Sequence, residues 1–376
     1  MGDTIKKVCV YTRSGPTSPS SYYRILQYQK GIDCDFRNRS IVPDRVYANY
    51  NKSTGLRRKW YQLRFYACAY FRTMRFLLAD AADKPDAVFV SRAIMPRICP
   101  FPLPLLMKRL FRRTKTLIWD IDDDIFQSRE ITPKEESLLL RFATHMILVN
   151  DHLRSTLPQE RRDTAVYLPT TDGDFADEDL EALASRRKQR YCDGEIALLW
   201  LATYTSLPFL SSIVPYLDTA AEEIYRSSGK QLVLEVVCNR PLNVRTSRLK
   251  IVNMVWSKEL AADRIRNAHI GIMPLEDTPH TRGKGGFKLL QYMAIGLATV
   301  SSAVGSANDI VTNGENGMLA SVTEPTQWTS AVTELAASWE RMQEMGMKAR
   351  KRWEEAYSYH RNLKVLTELL CGETEE

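Results

Sequence analysis

The sequence predicts an α/β protein built from two doubly wound domains. Three observations predict it: a length of 376 residues, apolar β-rich runs alternating with longer helical patterns, and a change of charge balance between the halves. A chain this long normally divides into two domains, each able to bury its own core. Strands that are apolar almost throughout, with helices between them, indicate parallel sheets covered on both faces.

The strand candidates of the first half are "KKVCVYT", "DAVFVSR", "TLIWDID", "HMILVN" and "AVYLPT". Those of the second half are "EIALLWLA", "QLVLEVV", "KIVNMV", "HIGIMP" and "ATVSS". Between the two sets, "TTDGDFADEDLEAL" is acidic and lacks apolar periodicity, so the domain boundary is expected near residues 171–194. From Glu324 to Leu370 the pattern is helical, with Trp328, Trp339 and Trp353 set among charges. No repeat of fixed period and no low-complexity tract is present.

Composition narrows the class. Seventeen Gly and seventeen Pro are ordinary for a globular chain, which excludes collagen-like and disordered types. The seven cysteines are scattered without a C-x-x-C pair, which fits free thiols in a reducing compartment better than a disulfide framework or a zinc site. No signal peptide opens the chain, and no apolar stretch reaches the ~20 residues that span a bilayer. The expectation is a cytoplasmic protein, at most peripheral on a membrane face. Residues 1–150 hold 26 Lys and Arg against 14 Asp and Glu, a net +12, which leaves −5 for the rest. That asymmetry suggests two domains with different partners.

Chemistry is clearest in residues 269–320, "HIGIMPLEDTPHTRGKGGFKLLQYMAIGLATVSSAVGSANDIVTNGENGMLA". A strand ends at Pro274, a polar loop follows, and a helix begins near Gly286 with apolar spacing at Phe287, Leu290, Met293 and Ala294. A helix N-terminus exposes unpaired N–H groups and carries about half a positive charge. Gly285 and Gly286 let a ligand approach the backbone, and Arg282, Lys284 and Lys288 add cations. Together they predict a seat for a diphosphate.

This stretch resembles the donor-binding region of the GT-B glycosyltransferases of the retaining group 1, family 4-like class. Their pattern Glu-Gly-Phe-Gly…Glu-Ala-Met-Ala-x-Gly-x-Pro-Val-Val-x-Ser, a later Gly and "dGxNGxL" are matched by "GGFKLLQYMAIGLATVSS", Gly305 and "TNGENGMLA". "SSYYRILQY", "DIDDDIF" and "LLWLATYTSLPFL" correspond to further family segments in the same order. The resemblance implies two Rossmann-like domains facing a central cleft: residues 1–175 on the acceptor side and 190–350 binding the nucleotide-sugar donor. Residues 351–376 would form a C-terminal helix that crosses back to the first domain. It also implies donor contacts at Ala202, Thr203, Phe287 and Gln291, and no cofactor beyond the nucleotide-diphosphate sugar as co-substrate. The chain departs from the family at several points. Gln291 and Gly283 stand where a Glu pair frames the donor helix, Ala202 replaces a Gly, and Ala298 replaces a Pro. Gln can still hydrogen-bond the ribose hydroxyls, though without charge assistance.

Asp120, Asp122, Asp123 and Asp124 crowd the end of one strand. A metal reading suits hard carboxylate oxygens, but the donor signal lies some 160 residues further on, where fixed cations already oppose the diphosphate; no metal is expected. Alternation puts Asp120 and Asp122 on one face and Asp123 on the other. Asp122 or Asp123 is expected to face the acceptor, and Asp124 to cap a helix starting near Ile125. Arg24 and Arg92, each near a strand's carboxyl end, are candidates for a phosphate on the acceptor.

Residues 56–78, "LRRKWYQLRFYACAYFRTMRFLL", combine helical length, cations and aromatics, which suits either an anionic membrane surface or a core helix with solvated arginines. No nucleic-acid-binding module is present. The sequence thus points to transfer of a sugar from a nucleotide-diphosphate donor to a hydroxyl of a glycan or lipid-linked glycan. The alternative is a catalytically silent partner subunit of the same fold.

Overall fold

The structure, a computed structural model, describes residues 5–372. Among these residues the strands form two six-stranded sheets, parallel throughout. The first contains β1 (Lys6–Thr12), β2 (Cys34–Ser40), β3 (Ala87–Ser91), β4 (Thr116–Ile121), β5 (His145–Leu148) and β6 (Ala165–Tyr167), in the order β2-β1-β3-β4-β5-β6. The second contains β7 (Glu195–Leu201), β8 (Gln231–Cys238), β9 (Lys250–Val255), β10 (Ile270–Met273), β11 (Ala298–Ser302) and β12 (Met318–Ala320), in the order β12-β11-β10-β7-β8-β9. The chain resolves into two compact units, one running to Thr170 and resuming at His360, the other Thr171–Tyr359.

All ten expected strands form, most of them apolar runs that their sheet buries on both sides; β9, at the edge of the second sheet, is half-buried or exposed throughout. β2 and β12 were not legible. β2 reads "CDFRNRS" and lies at the sheet edge, half exposed and rich in charge, as an edge strand can be. β12 is three residues long.

The acidic segment at 171–194 is not simply a connection. Asp179 accepts an N–H bond from Ala182 at 3.0 Å and starts a helix, Leu180–Cys192, which belongs to the second unit and buries Leu183 and Arg187. Polar composition hid it, since Leu183 is its one fully buried apolar residue, with Ala184 and Tyr191 partly buried against the core. The C-terminal region divides into helices Gln327–Ala336, Trp339–Ala356 and Tyr359–Cys371, and Trp328, Trp339 and Trp353 are all buried. Residues 56–78 lie within a helix Gly55–Asp83.

Each sheet reverses its strand order once, between β1 and β3 in the first unit and between β7 and β10 in the second. Ligands of such sheets settle outside the strands' carboxyl ends at that switch point. Both sets of chemically interesting residues lie there.

Candidate functional site

In the second unit the loop after β10 carries a short helix, Pro279–Arg282, and then the glycines that open the helix Phe287–Ala294. Gly286 has φ +69°, and a Cβ there would lie 2.5 Å from Ile310. A side chain is thus excluded both by backbone conformation and by space. Gly305, at φ +53°, lets the segment after β11 pass against the Arg282 carbonyl, where a Cβ would come within 2.8 Å. Next to it, Ser306 Oγ donates to the Lys284 carbonyl at 2.7 Å. The glycine-rich loop is therefore fixed from two sides.

Lys284 and Lys288 flank this helix start. The Lys284 ammonium stands 5.9 Å from the ring of Phe209, in the helix Leu207–Ser228, which brings the loop beside the segment after β7. Ala202 and Thr203 are the first residues of that segment; Ala202 is half-buried and Thr203 exposed. Tyr204 N–H donates to Asn239 Oδ1 at 3.1 Å, tying the segment to the end of β8. Lys288 is partly enclosed, with Nζ 4.8 Å from the Phe287 ring. Its pKa falls from 10.5 to about 8 because burial disfavours the charged form, against the opposing pull of Asp172. Nζ donates to Gln291 Oε1 at 2.9 Å, and Gln291 Nε2 donates to Asp172 Oδ2 at 2.7 Å. Arg282 is exposed and makes a two-bond ion pair with Asp277, at 2.6 and 2.9 Å.

The structure thus gathers Lys284, Gly285, Gly286, Phe287, Lys288 and Gln291 on one loop and helix start. Arg282 is directed to Asp277. Asp172 belongs to the same cluster and was missed, because an acidic, aperiodic stretch reads as solvated connection.

In the first unit the four aspartates separate. Asp120 is fully buried and paired with Arg24, whose Nη2 donates to Oδ1 at 2.6 Å and Nε at 3.0 Å. Arg24 Nη1 donates to the Leu168 carbonyl at 2.8 Å and to Thr170 Oγ1 at 3.1 Å. Arg24 is consequently an interior residue that neutralises Asp120, and the expectation that it binds an acceptor phosphate is corrected. Asp122 accepts from Arg92 Nε at 2.5 Å. Burial opposes its ionisation, but Arg92, Arg24 and the Ser20 hydroxyl prevail and hold its pKa below the usual carboxylate value. Arg92 also lies 3.5 Å from Asp123 and 3.4 Å from Glu130, and Glu130 pairs with Arg13.

Arg92 adopts φ +61°, rare for a side chain of its size, with its carbonyl accepting from Trp119 Nε1 at 2.8 Å. The backbone there is pinned in place to aim the guanidinium across the strand ends. Asp124 Oδ1 accepts from the Gln127 N–H at 2.9 Å, a capping bond without the expected helix: residues after it form turns, and the next helix is Pro133–Phe142. Arg13 and Glu130 were not singled out, although "VYTR" places an arginine just past β1 as "VFVSR" does past β3.

Among the described residues no group of three or more His, Cys, Asp or Glu side chains is placed to hold a metal ion.

A family model described as glycosyl transferases group 1 matches residues 214–338, which include the whole of the Arg282–Gln291 segment. No curated protein matches the chain. Solved structures agree along nearly its full length. HepE of Anabaena, in complex with UDP, superposes with a TM-score of 0.65 at 10% identity, over 98% of this chain and 100% of that one. A glycosyltransferase from Rickettsia africae gives 0.61 at 10% identity, over 99% and 100%. Sucrose-phosphate synthase of Thermosynechococcus elongatus gives 0.61 at 13%, over 97% and 98%. The fold is that of the GT-B glycosyltransferases, and the matched segment, about a third of the chain, is similar to group 1 of them.

Proposed function

We propose that the chain moves a sugar from a nucleotide-diphosphate sugar onto a hydroxyl of a glycan or lipid-linked glycan, with retention of configuration, in cell-surface polysaccharide synthesis. The observation that carries this reading is the placement of Lys284 and Lys288 about the N-terminus of Phe287–Ala294, at the switch point of the second sheet and inside the matched segment. HepE, of the same fold, has been solved with UDP-glucose. A diphosphate leaving group gains negative charge as the glycosidic bond breaks, and preorganised cations and N–H dipoles stabilise it. The sugar passes through oxocarbenium character. Attack occurs on the face the diphosphate leaves, and a departing phosphate oxygen takes the acceptor proton, so no side-chain nucleophile is needed.

At the carboxyl edge of the first sheet, Asp122 stays ionised and can accept a hydrogen bond from the acceptor hydroxyl. Arg92 and Asp123 border the same corner. Since fixed cations oppose the diphosphate charge, transfer is expected to survive excess EDTA; loss of activity that manganese restores would give the aspartates a metal after all.

Calorimetric titration with UDP and GDP is the direct test. One of them should bind, and Lys284→Ala should weaken it by about 1.5–3 kcal/mol, the range for hydrogen bonds to charged groups. Equal binding by variant and wild type would misplace the seat. A silent partner subunit remains the second reading because both ends of the Gln291 amide are already engaged by protein groups. Such a relic should bind neither nucleotide.

A further inference from the structure

We propose that Asp172 is a positioning residue of the donor site, holding the Lys288 ammonium in place and charged through the Gln291 amide. The inference rests on the donor-site reading above.

The three side chains form a directed chain. A carboxylate can only accept and an ammonium can only donate, so the amide between them has one orientation: Nε2 towards Asp172 Oδ2 at 2.7 Å, Oε1 towards Lys288 Nζ at 2.9 Å. Asp172 is itself fixed. Its Oδ1 accepts from the Asp174 N–H at 3.1 Å. Its neighbour Thr171 accepts from Trp353 Nε1 at 3.1 Å, and Arg350 Nη2, on the same helix as Trp353, donates to the Ala176 carbonyl at 2.8 Å. The segment 171–176 is thus clamped to the helix Trp339–Ala356.

The arrangement solves a particular difficulty. Enclosure lowers the proton affinity of Lys288 and so weakens its hold on a diphosphate as pH rises. A carboxylate in direct contact would keep it charged but would also satisfy and neutralise it. An amide in between passes on orientation without cancelling the charge, while Asp172, one link back, favours the ammonium at longer range. Asp172 opposes the burial of Lys288, and Asp174 is the other acid beside Asp172. One N–H of Lys288 is committed to Gln291, which leaves two for an anion.

Asp172→Asn keeps an acceptor for the Gln291 amide and removes only the charge. Acylation of Lys288 by an amine-directed reagent across pH, followed by peptide mass spectrometry, reads its protonation with no nucleotide present. The midpoint, expected at about 8 in the wild type, should fall by half a pH unit or more in Asp172→Asn, about a threefold change in the proton equilibrium. UDP affinity should decline as pH rises through the same midpoint, and earlier in the variant. Lys288→Arg should flatten the profile in either background, because a guanidinium does not titrate there. An unchanged midpoint in folded Asp172→Asn overturns the proposal. If that variant does not fold, Gln291→Leu breaks the same chain and must also lower the midpoint. A wild type that binds neither UDP nor GDP at any pH defeats the donor-site reading, whereas the labelling midpoint still decides the role of Asp172.

Discussion

Asp120 and Asp122 are two positions apart on the same face of one strand end, yet one is structural and the other sits at a charged corner. The difference lies in their arginines. Arg24 meets Asp120 inside the unit with five hydrogen bonds committed to protein oxygens at Asp120, Leu168 and Thr170. Arg92 stands at the edge and is shared among Asp122, Asp123 and Glu130. Period-two alternation in the sequence could not say which arginine would reach which acid, since Arg24 and Asp120 are 96 residues apart. Removing one partner of a buried ion pair leaves an uncompensated charge and costs about 3–5 kcal/mol. Arg24→Met should therefore destabilise the first unit by that amount, and adding Asp120→Asn should recover a large part of it. Urea unfolding followed in the first unit measures both. A single variant within about 1 kcal/mol of wild type would show that Arg24 is not what neutralises Asp120.

At the scale of elements, the helix Gly55–Asp83 divides along its length. From Phe65 onward it buries Phe65, Ala69, Thr73, Phe76, Leu77 and Asp80, the spacing of one helical face. Before Phe65 only Tyr61 is partly covered, and Leu56, Trp60 and Leu63 are 84%, 58% and 70% exposed beside Arg57, Arg58, Lys59 and Arg64. The core reading holds from Phe65 onward, and the membrane-facing expectation rests on the exposed first turns alone. Cations crowd the first turns, but aromatic residues run through both parts, so the packing was needed to separate them. Phe101 is 77% exposed, and its carbonyl accepts from the Tyr70 hydroxyl at 3.1 Å. No helix among the described residues is long and apolar enough to cross a membrane. A contact of the first turns with anionic lipid would lie at the membrane surface, with each cation worth about 1 kcal/mol. Changing Arg57, Arg58 and Lys59 together to Glu should abolish co-sedimentation with anionic vesicles, and salt should weaken that of the wild type. Equal pelleting of the two proteins, or pelleting indifferent to lipid charge, sinks the idea.

For the whole molecule the decisive fact is that the first unit is interrupted. The chain leaves it at Thr170, builds Thr171–Tyr359 as a separate unit, and re-enters it at His360. The helix Tyr359–Cys371 contributes Leu366 and Leu370, both fully buried, and packs Leu363 against Gly31, where a Cβ would come within 2.9 Å. Asn362 Nδ2 donates to the Pro169 carbonyl at 2.7 Å and to the Tyr28 hydroxyl at 3.2 Å, and Lys6 Nζ donates to the Cys371 carbonyl. At its far end Cys371 Sγ lies 3.0 Å from Cys34 Sγ, at the start of β2. The sequence showed a helical C-terminus, but its partners are more than 190 residues away, at Pro169 and beyond, which no local pattern encodes. Truncating a single buried leucine to alanine costs about 2–5 kcal/mol, and a domain is held by only about 5–15 kcal/mol. A chain ending at Tyr359 loses two such leucines and the Asn362 bonds, so its first unit should be unfolded or nearly so at 25 °C, while the second keeps its own core. Limited proteolysis with mass spectrometry distinguishes the units: cleavage should spread through residues 5–170 and spare 171–359. Leu366→Ala should act in the same direction with smaller effect. Protection of residues 5–170 equal to that of the full chain would mean that the first unit does not depend on its returning helix.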